Sequence, residues 1–188
     1  MLAPGLAIVF CGINPGLYSG AVGHHFARPG NRFWPALHRA GFTDRLLRPE
    51  EDGLLPSYGV GVTNLVERAS AAAAELGAEE LRRGGERLVA RLEAYRPRVV
   101  AILGMQAYRT AFGGPTVLGR AEVEIAGAPV FVLPNPSGLQ ARYQLDDLVA
   151  RFDALRRAAG LARRAPSPAE AAPSTRGVDR QRRGPCRP

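Results

Sequence analysis

LAIVFCGINPGL, residues 6–17, sets an unbroken apolar run against a Gly-Ile-Asn-Pro-Gly stretch that cannot continue a strand. Apolar residues from Leu6 to Cys11, stopped by Gly12, have the pattern of a short strand buried on both faces. The pattern recurs at Val99–Leu103 (VVAIL) and Val130–Leu133 (VFVL), each followed by Gly or Pro, and more weakly at Val60–Val62. Helical periodicity lies between these runs. Asn31 can cap a segment through Ala40. Leu81, Leu88, Val89, Leu92 and Tyr95 share one helical face, and Leu145, Leu148, Val149, Phe152 and Leu155 share another. Strands alternating with helices predict an α/β fold, a three-layer sandwich with a central, mainly parallel sheet flanked by helices. Val123–Ile125 and Val130–Leu133, around Gly127, are expected to pair as a hairpin.

The hydrophobic fraction of 46% over 188 residues fits one globular core, expected over residues 1–160. Beyond Gly160 the periodicity stops and Ala, Pro, Ser and Arg take over, which predicts a basic, disordered tail over residues 161–188. That stretch holds seven arginines against two acids, so it carries +5 of the formal net charge of +8. A basic tail on a modestly basic body suits a polyanionic partner, and equally suits solubility. No apolar run approaches the roughly 20 residues that span a bilayer, and the start has no basic leader, so a cytoplasmic protein without membrane contact is expected.

Cys11 and Cys186 make neither a disulfide framework nor a zinc or iron–sulfur ligand set, and Cys11 reads as a small buried hydrophobe. His24 and His25 have no partners at metal-ligand spacing and are expected at the surface or facing phosphate. No metal or other cofactor is expected. The chain contains no lysine, which excludes a G-x-x-x-x-G-K-[ST] phosphate loop, a pyridoxal Schiff base and a lysine nucleophile acting on a sugar aldehyde.

In open α/β sheets the ligand crevice lies outside the carboxyl ends of the strands. GINPG, TNLVER (63–68), LGMQAY (103–108) and PNPSGLQAR (134–142) each follow a strand, so a parallel sheet brings these loops to one rim. Asparagine between Gly, Ile and Pro at such a position either shapes a turn or holds a ligand. PNPSGL repeats the Asn-Pro-small pattern, and HFARPGNRFW adds aromatics, arginines and Asn31 downstream.

FCGINPGL (10–17), HFARPGNRFW (25–34), AGFTDRLL (40–47), GVTNLVER (61–68), GGERLVARLEAYRP (84–97), AILGMQAY (101–108) and LPNPSGL (133–139) together resemble the mismatch-specific uracil/thymine-DNA glycosylases of the uracil-DNA glycosylase superfamily. The resemblance covers nearly all of residues 6–155 in order and leaves the tail outside. It implies hydrolysis of the bond between base and deoxyribose in base excision repair, on a nucleotide flipped out of double-stranded DNA at G·U or G·T mispairs or base adducts. It further implies a monomeric, nucleoid-associated protein of bacterial type.

Residue by residue, the resemblance gives Asn14 the hydrolytic water, Phe26 the stacking wall and the backbone around Ile13 the base edge. Related enzymes carry Asp where Asn14 stands; an amide can hold and orient water but cannot accept its proton. Gly16 stands where uracil-only relatives have a tyrosine that blocks a C5 methyl, so thymine and ethenocytosine are expected to fit; backbone permissiveness in a turn is the competing explanation. Leu139 is the expected wedge filling the vacated stack, with Gly138 allowing close approach to DNA. Asn135 orders that loop or lines the pocket. Arg142 stands one place beyond the arginine of the bacterial enzymes, leaving contact with the widowed base or with phosphate open. Asn64, a lysine in most bacterial relatives and an asparagine in the vertebrate thymine-DNA glycosylases, either bonds the substrate or holds the rim. Ser19 either contacts base or phosphate or caps the loop. Without lysine the reaction is expected to be monofunctional, leaving an intact abasic strand. The rival readings are a catalytically idle protein that marks damaged DNA and a nucleotide-binding α/β hydrolase.

Overall fold

The computed structural model describes residues 1–115 and 118–167. Five strands, β1 (Ile8–Gly12), β2 (Val60–Asn64), β3 (Val99–Leu103), β4 (Gly119–Ile125) and β5 (Ala128–Leu133), form one sheet in the order β2-β1-β3-β5-β4. All neighbouring pairs are parallel except β4 with β5. The helices are α1 (Leu17–Val22), α2 (Phe33–Arg39), α3 (Ala78–Tyr95), α4 (Met105–Phe112) and α5 (Leu145–Ala158), with a 3-10 segment over Pro49–Tyr58. This is the α/β sandwich with a mostly parallel central sheet that the sequence pattern predicts.

Strand alternation divides the core into two layers. Ile8 and Phe10 of β1 pack with α2 and α5 on one face, while Val9 and Cys11 pack with α3 and α4 on the other. Every residue of β1 and β3 is buried, which is why both read as continuous apolar runs instead of alternating ones. Burial pushes the Cys11 thiol up to about 12, consistent with a packing role. On the α2/α5 face Phe10 stacks on Phe152 at 5.1 Å and meets Phe33 edge-on at 5.4 Å. Such pairs contribute about 0.5–1.5 kcal/mol each beyond area burial.

Several features depart from the sequence expectation. LGMQAY is not a rim loop: past Gly104 it is the first turn of α4. The hairpin strands are longer than expected, and their turn places both Ala126 and Gly127 at positive φ (52° and 74°), the twist that suits a two-residue hairpin. Residues 161–167 run along the body, with Arg164 N–H donating to Gly41 O (2.8 Å) and Ser167 N–H to Asp44 O (2.7 Å). The remaining tail, including Cys186, lies outside the described residues. Arg156, buried in α5, donates to Ala40 O (2.9 Å) and Asp153 (2.7 Å), fixing the end of α2 against α5. Among the described residues no helix is long and apolar enough to cross a membrane.

Candidate active site

A cavity of about 610 Å³ opens at the carboxyl ends of the parallel strands. Its lining takes in Gly12–Gly16 at and beyond the end of β1, Asn64 and Glu67 at and beyond the end of β2, Leu103 at the end of β3, and Asn135, Ser137, Leu139 and Gln140 after β5. The strand order reverses between β1 and β3, the switch point where open sheets of this kind leave a crevice.

Beyond β1 the chain bends at Ile13, and Pro15 disfavours helix at Asn14. It is laced to the segment after β2: Leu65 N–H donates to Gly12 O, Val66 N–H to Ile13 O (both 2.9 Å) and Ser70 N–H to Pro15 O (3.2 Å). Asn14 is half-buried at the cavity wall. Its Nδ2 donates to Arg68 O (2.9 Å) and to Ser70 Oγ (2.8 Å). Ser70 is buried, and its hydroxyl donates to Ala72 O (2.8 Å), so it can only accept from Asn14. Both amide hydrogens are therefore committed, and Oδ1 is the group Asn14 has left to offer a water or a ligand.

Phe26 lines the same cavity and stacks on Phe33 with ring centroids 4.1 Å apart, so the aromatic core continues into the cavity wall. Its φ of 54° lies in the left-handed region, which a bulky residue occupies only when its surroundings over-determine it. The flanking residues supply that constraint. His25 N–H donates to Asp52 (3.2 Å), Trp34 Nε1–H donates to His25 O (3.2 Å), and Ala27 N–H donates to Ser19 Oγ (3.0 Å). Ser19 is thus a buried strut of the loop that carries Phe26.

His24 and His25 line the cavity. They are partly buried and turn toward Asp52, with His24 Nδ1 3.5 Å and His25 Nδ1 3.2 Å from its oxygens. Burial pushes the His25 imidazole below its ordinary range, against the opposing hydrogen bond to Asp52. Burial pushes the Asp52 carboxyl up, yet the His25 N–H and ring bonds together hold it below its usual range. The pair therefore sits as a carboxylate and a neutral imidazole near pH 7.

Gly16 has φ −66° and ψ 157°, ordinary for any residue, and a Cβ there would meet nothing within 4 Å. Backbone permissiveness is not what the position requires; what glycine leaves is open space beside Pro15. Gly12 is the opposite case: a Cβ would lie 2.6 Å from Asn64 Oδ1 and 3.2 Å from the Phe26 ring. Asn64 and Phe26 thus close over one backbone position at the cavity floor. The side chain of Ile13 packs toward Gly104. Among the described lining residues the one carboxylate is Glu67, which Arg91 engages at 2.6 Å.

The PNPSGLQAR loop completes the rim. Asn135 Oδ1 accepts from Ser137 N–H (3.0 Å), ordering the turn while Asn135 also lines the cavity. Gly138 makes its close approach within the protein: a Cβ would lie 2.6 Å from Gly30 O. Leu139 is 67% exposed, a large aliphatic side chain held out at the cavity mouth. Arg142 is exposed, rests over the Tyr143 ring at 5.5 Å and does not line the cavity.

The structure thus brings Ile13, Asn14, Gly16, Ser19, Phe26, Asn64, Asn135 and Leu139 to one cavity, with Gly138 beside Leu139 and Arg142 off its edge. Sequence reasoning missed Ser70, which follows TNLVER at a distance of two residues with no local signal, and Asp52, which reads as one acid among three in EED.

A family model described as the uracil DNA glycosylase superfamily matches residues 1–158, the stretch that contains every element of the sheet and the whole cavity rim. The chain belongs to the uracil-DNA glycosylase superfamily, whose members are DNA glycosylases.

Proposed function

We propose that this glycosylase is a monofunctional, mismatch-directed enzyme that releases uracil opposite guanine from duplex DNA, with room in its pocket for thymine and ethenocytosine. The observation that carries this reading is the double commitment of the Asn14 amide to Arg68 O and Ser70 Oγ, which aims Oδ1 as a fixed, neutral acceptor. A water held there attacks C1′ of the flipped nucleotide while the C1′–N1 bond breaks and its electrons leave on the base. The water's proton passes to solvent, because an amide does not take it up. With an amide in place of a carboxylate at position 14, rate depends on the leaving base and on positioning, so turnover is slow on uracil and slower on thymine.

Phe26 supplies the stacking wall, Asn64 and the backbone around Ile13 the polar base edge, and the space at Gly16 admits a C5 substituent. Discrimination then comes largely from how readily a mispaired base leaves the stack. Leu139 fills the vacated position and Arg142 meets the phosphate backbone beside it. With no lysine in the chain, the abasic strand is left intact.

End-labelled duplexes carrying G·U, A·U, G·T or G·ethenocytosine pairs test the reading under single-turnover conditions. Base release from G·U, revealed as strand breaks after alkali and largely lost in Asn14→Ala, is expected. Strand breaks without alkali overturn the monofunctional assignment. Tight binding without base release identifies a protein that only marks the lesion.

A further inference from the structure

We propose that Arg32 is a positioning residue that presents Leu139, an inference that rests on the reading of Leu139 as the duplex wedge. The chain between β5 and α5 has no regular secondary structure over residues 134–144. The Arg32 guanidinium reaches across to it from the start of α2. Nη2 donates to both Ser137 O (2.6 Å) and Gln140 O (2.7 Å), Nη1 donates to Tyr143 O, and the Arg32 backbone N–H donates to Pro136 O (2.9 Å). Two carbonyls that bracket Gly138 and Leu139 thus converge on one nitrogen. With both ends of the bracket drawn inward, the residues between them must bulge outward, and Leu139 stands at the crest, 67% exposed. Gly138, seated against Gly30 O, keeps the base of the bulge tight.

The chemistry calls for arginine in particular. A planar fork with five donors serves three carbonyls at fixed angles, whereas an ammonium offers a single point on a flexible stem. Among the described residues the Arg32 guanidinium is met by the loop's carbonyl dipoles rather than by a carboxylate. Holding the loop in its inserting shape before DNA arrives removes the ordering entropy that insertion would otherwise cost. Arg32 acts through Leu139 on base extrusion and has no part in attack at C1′.

A double-mutant cycle of Arg32→Ala with Leu139→Ala, read as single-turnover uracil release from a G·U duplex, tests this. Arg32→Ala is expected to slow release about tenfold or more alone, the scale of a misplaced group remote from the chemistry, and by less than about twofold in the Leu139→Ala background. Equal losses in both backgrounds overturn the proposal and leave Arg32 a general structural residue. Arg32→Lys keeps the charge and guards against a folding failure; it should fall between wild type and Arg32→Ala. Amide hydrogen exchange of residues 137–143 is read in parallel, with faster exchange expected in Arg32→Ala and Arg32→Lys and unchanged exchange refuting the clamp. If the wild type releases no uracil, the functional reading fails, while the exchange measurement still decides whether Arg32 holds the loop.

Discussion

Asn14 Nδ2 lies 2.8 Å from Ser70 Oγ, and Ser70 in turn donates to Ala72 O at the same distance. A residue 56 positions away therefore decides which end of the Asn14 amide faces the cavity. Asn14→Ala is expected to lower single-turnover uracil release by about a hundredfold or more, with affinity for abasic duplex little changed. Ser70→Ala should cost roughly fivefold to tenfold, the scale of one hydrogen bond, and Ser70→Thr should restore most of it. An unchanged rate in Asn14→Ala removes this residue from the mechanism.

Gly16→Tyr should fold normally, because the backbone there is ordinary and a Cβ meets nothing within 4 Å. The ring enters the space assigned to a C5 substituent, so thymine release should fall at least about tenfold more than uracil release. Equal losses on paired G·T and G·U substrates would refute the steric account.

Gly12→Ala makes a different prediction, since the added Cβ would lie 2.6 Å from Asn64 Oδ1 and 3.2 Å from the Phe26 ring. Both are side-chain atoms at the cavity edge, so the cost falls on pocket shape more than on the core. Thermal denaturation should change little while uracil release drops roughly tenfold. A large loss of stability with normal activity in the surviving protein would show that these side chains bear on folding instead.

The His25 imidazole, pushed below its ordinary 6.5 by burial, links stability to pH. Facing it are Asp52, His24 and the Met1 amino group. Above 6.5 folded and unfolded states both hold it neutral and no linkage exists. As pH falls below that value the unfolded chain takes up a proton first, so the native state loses stability. Asp52, held below 3.8, adds nothing until more acidic pH. Urea midpoints at pH 7.5 and 5.5 should therefore differ less in His25→Gln than in wild type. An equal difference in both proteins would show that other groups carry the acid sensitivity.

What could be read from the sequence was whatever depends on neighbours along the chain. Fully buried strands announce themselves as LAIVFC and VVAIL because both faces of a central strand are covered, and α3 and α5 show their apolar stripe at helical spacing. Asn14 stood out because its turn-forming neighbours made its residue type conspicuous at the end of a strand, while Phe26 and Leu139 were picked out through the family resemblance of their motifs. What only the folded chain decided were contacts between distant segments. Ser70 fixing the Asn14 amide, Asp52 fixing the Phe26 loop and Arg32 gathering the wedge-loop carbonyls each span 27 or more positions. The physical reason is that a hydrogen bond between distant segments leaves no periodicity behind it. Composition shows that a serine or an arginine is present, and only tertiary geometry determines which carbonyl it meets.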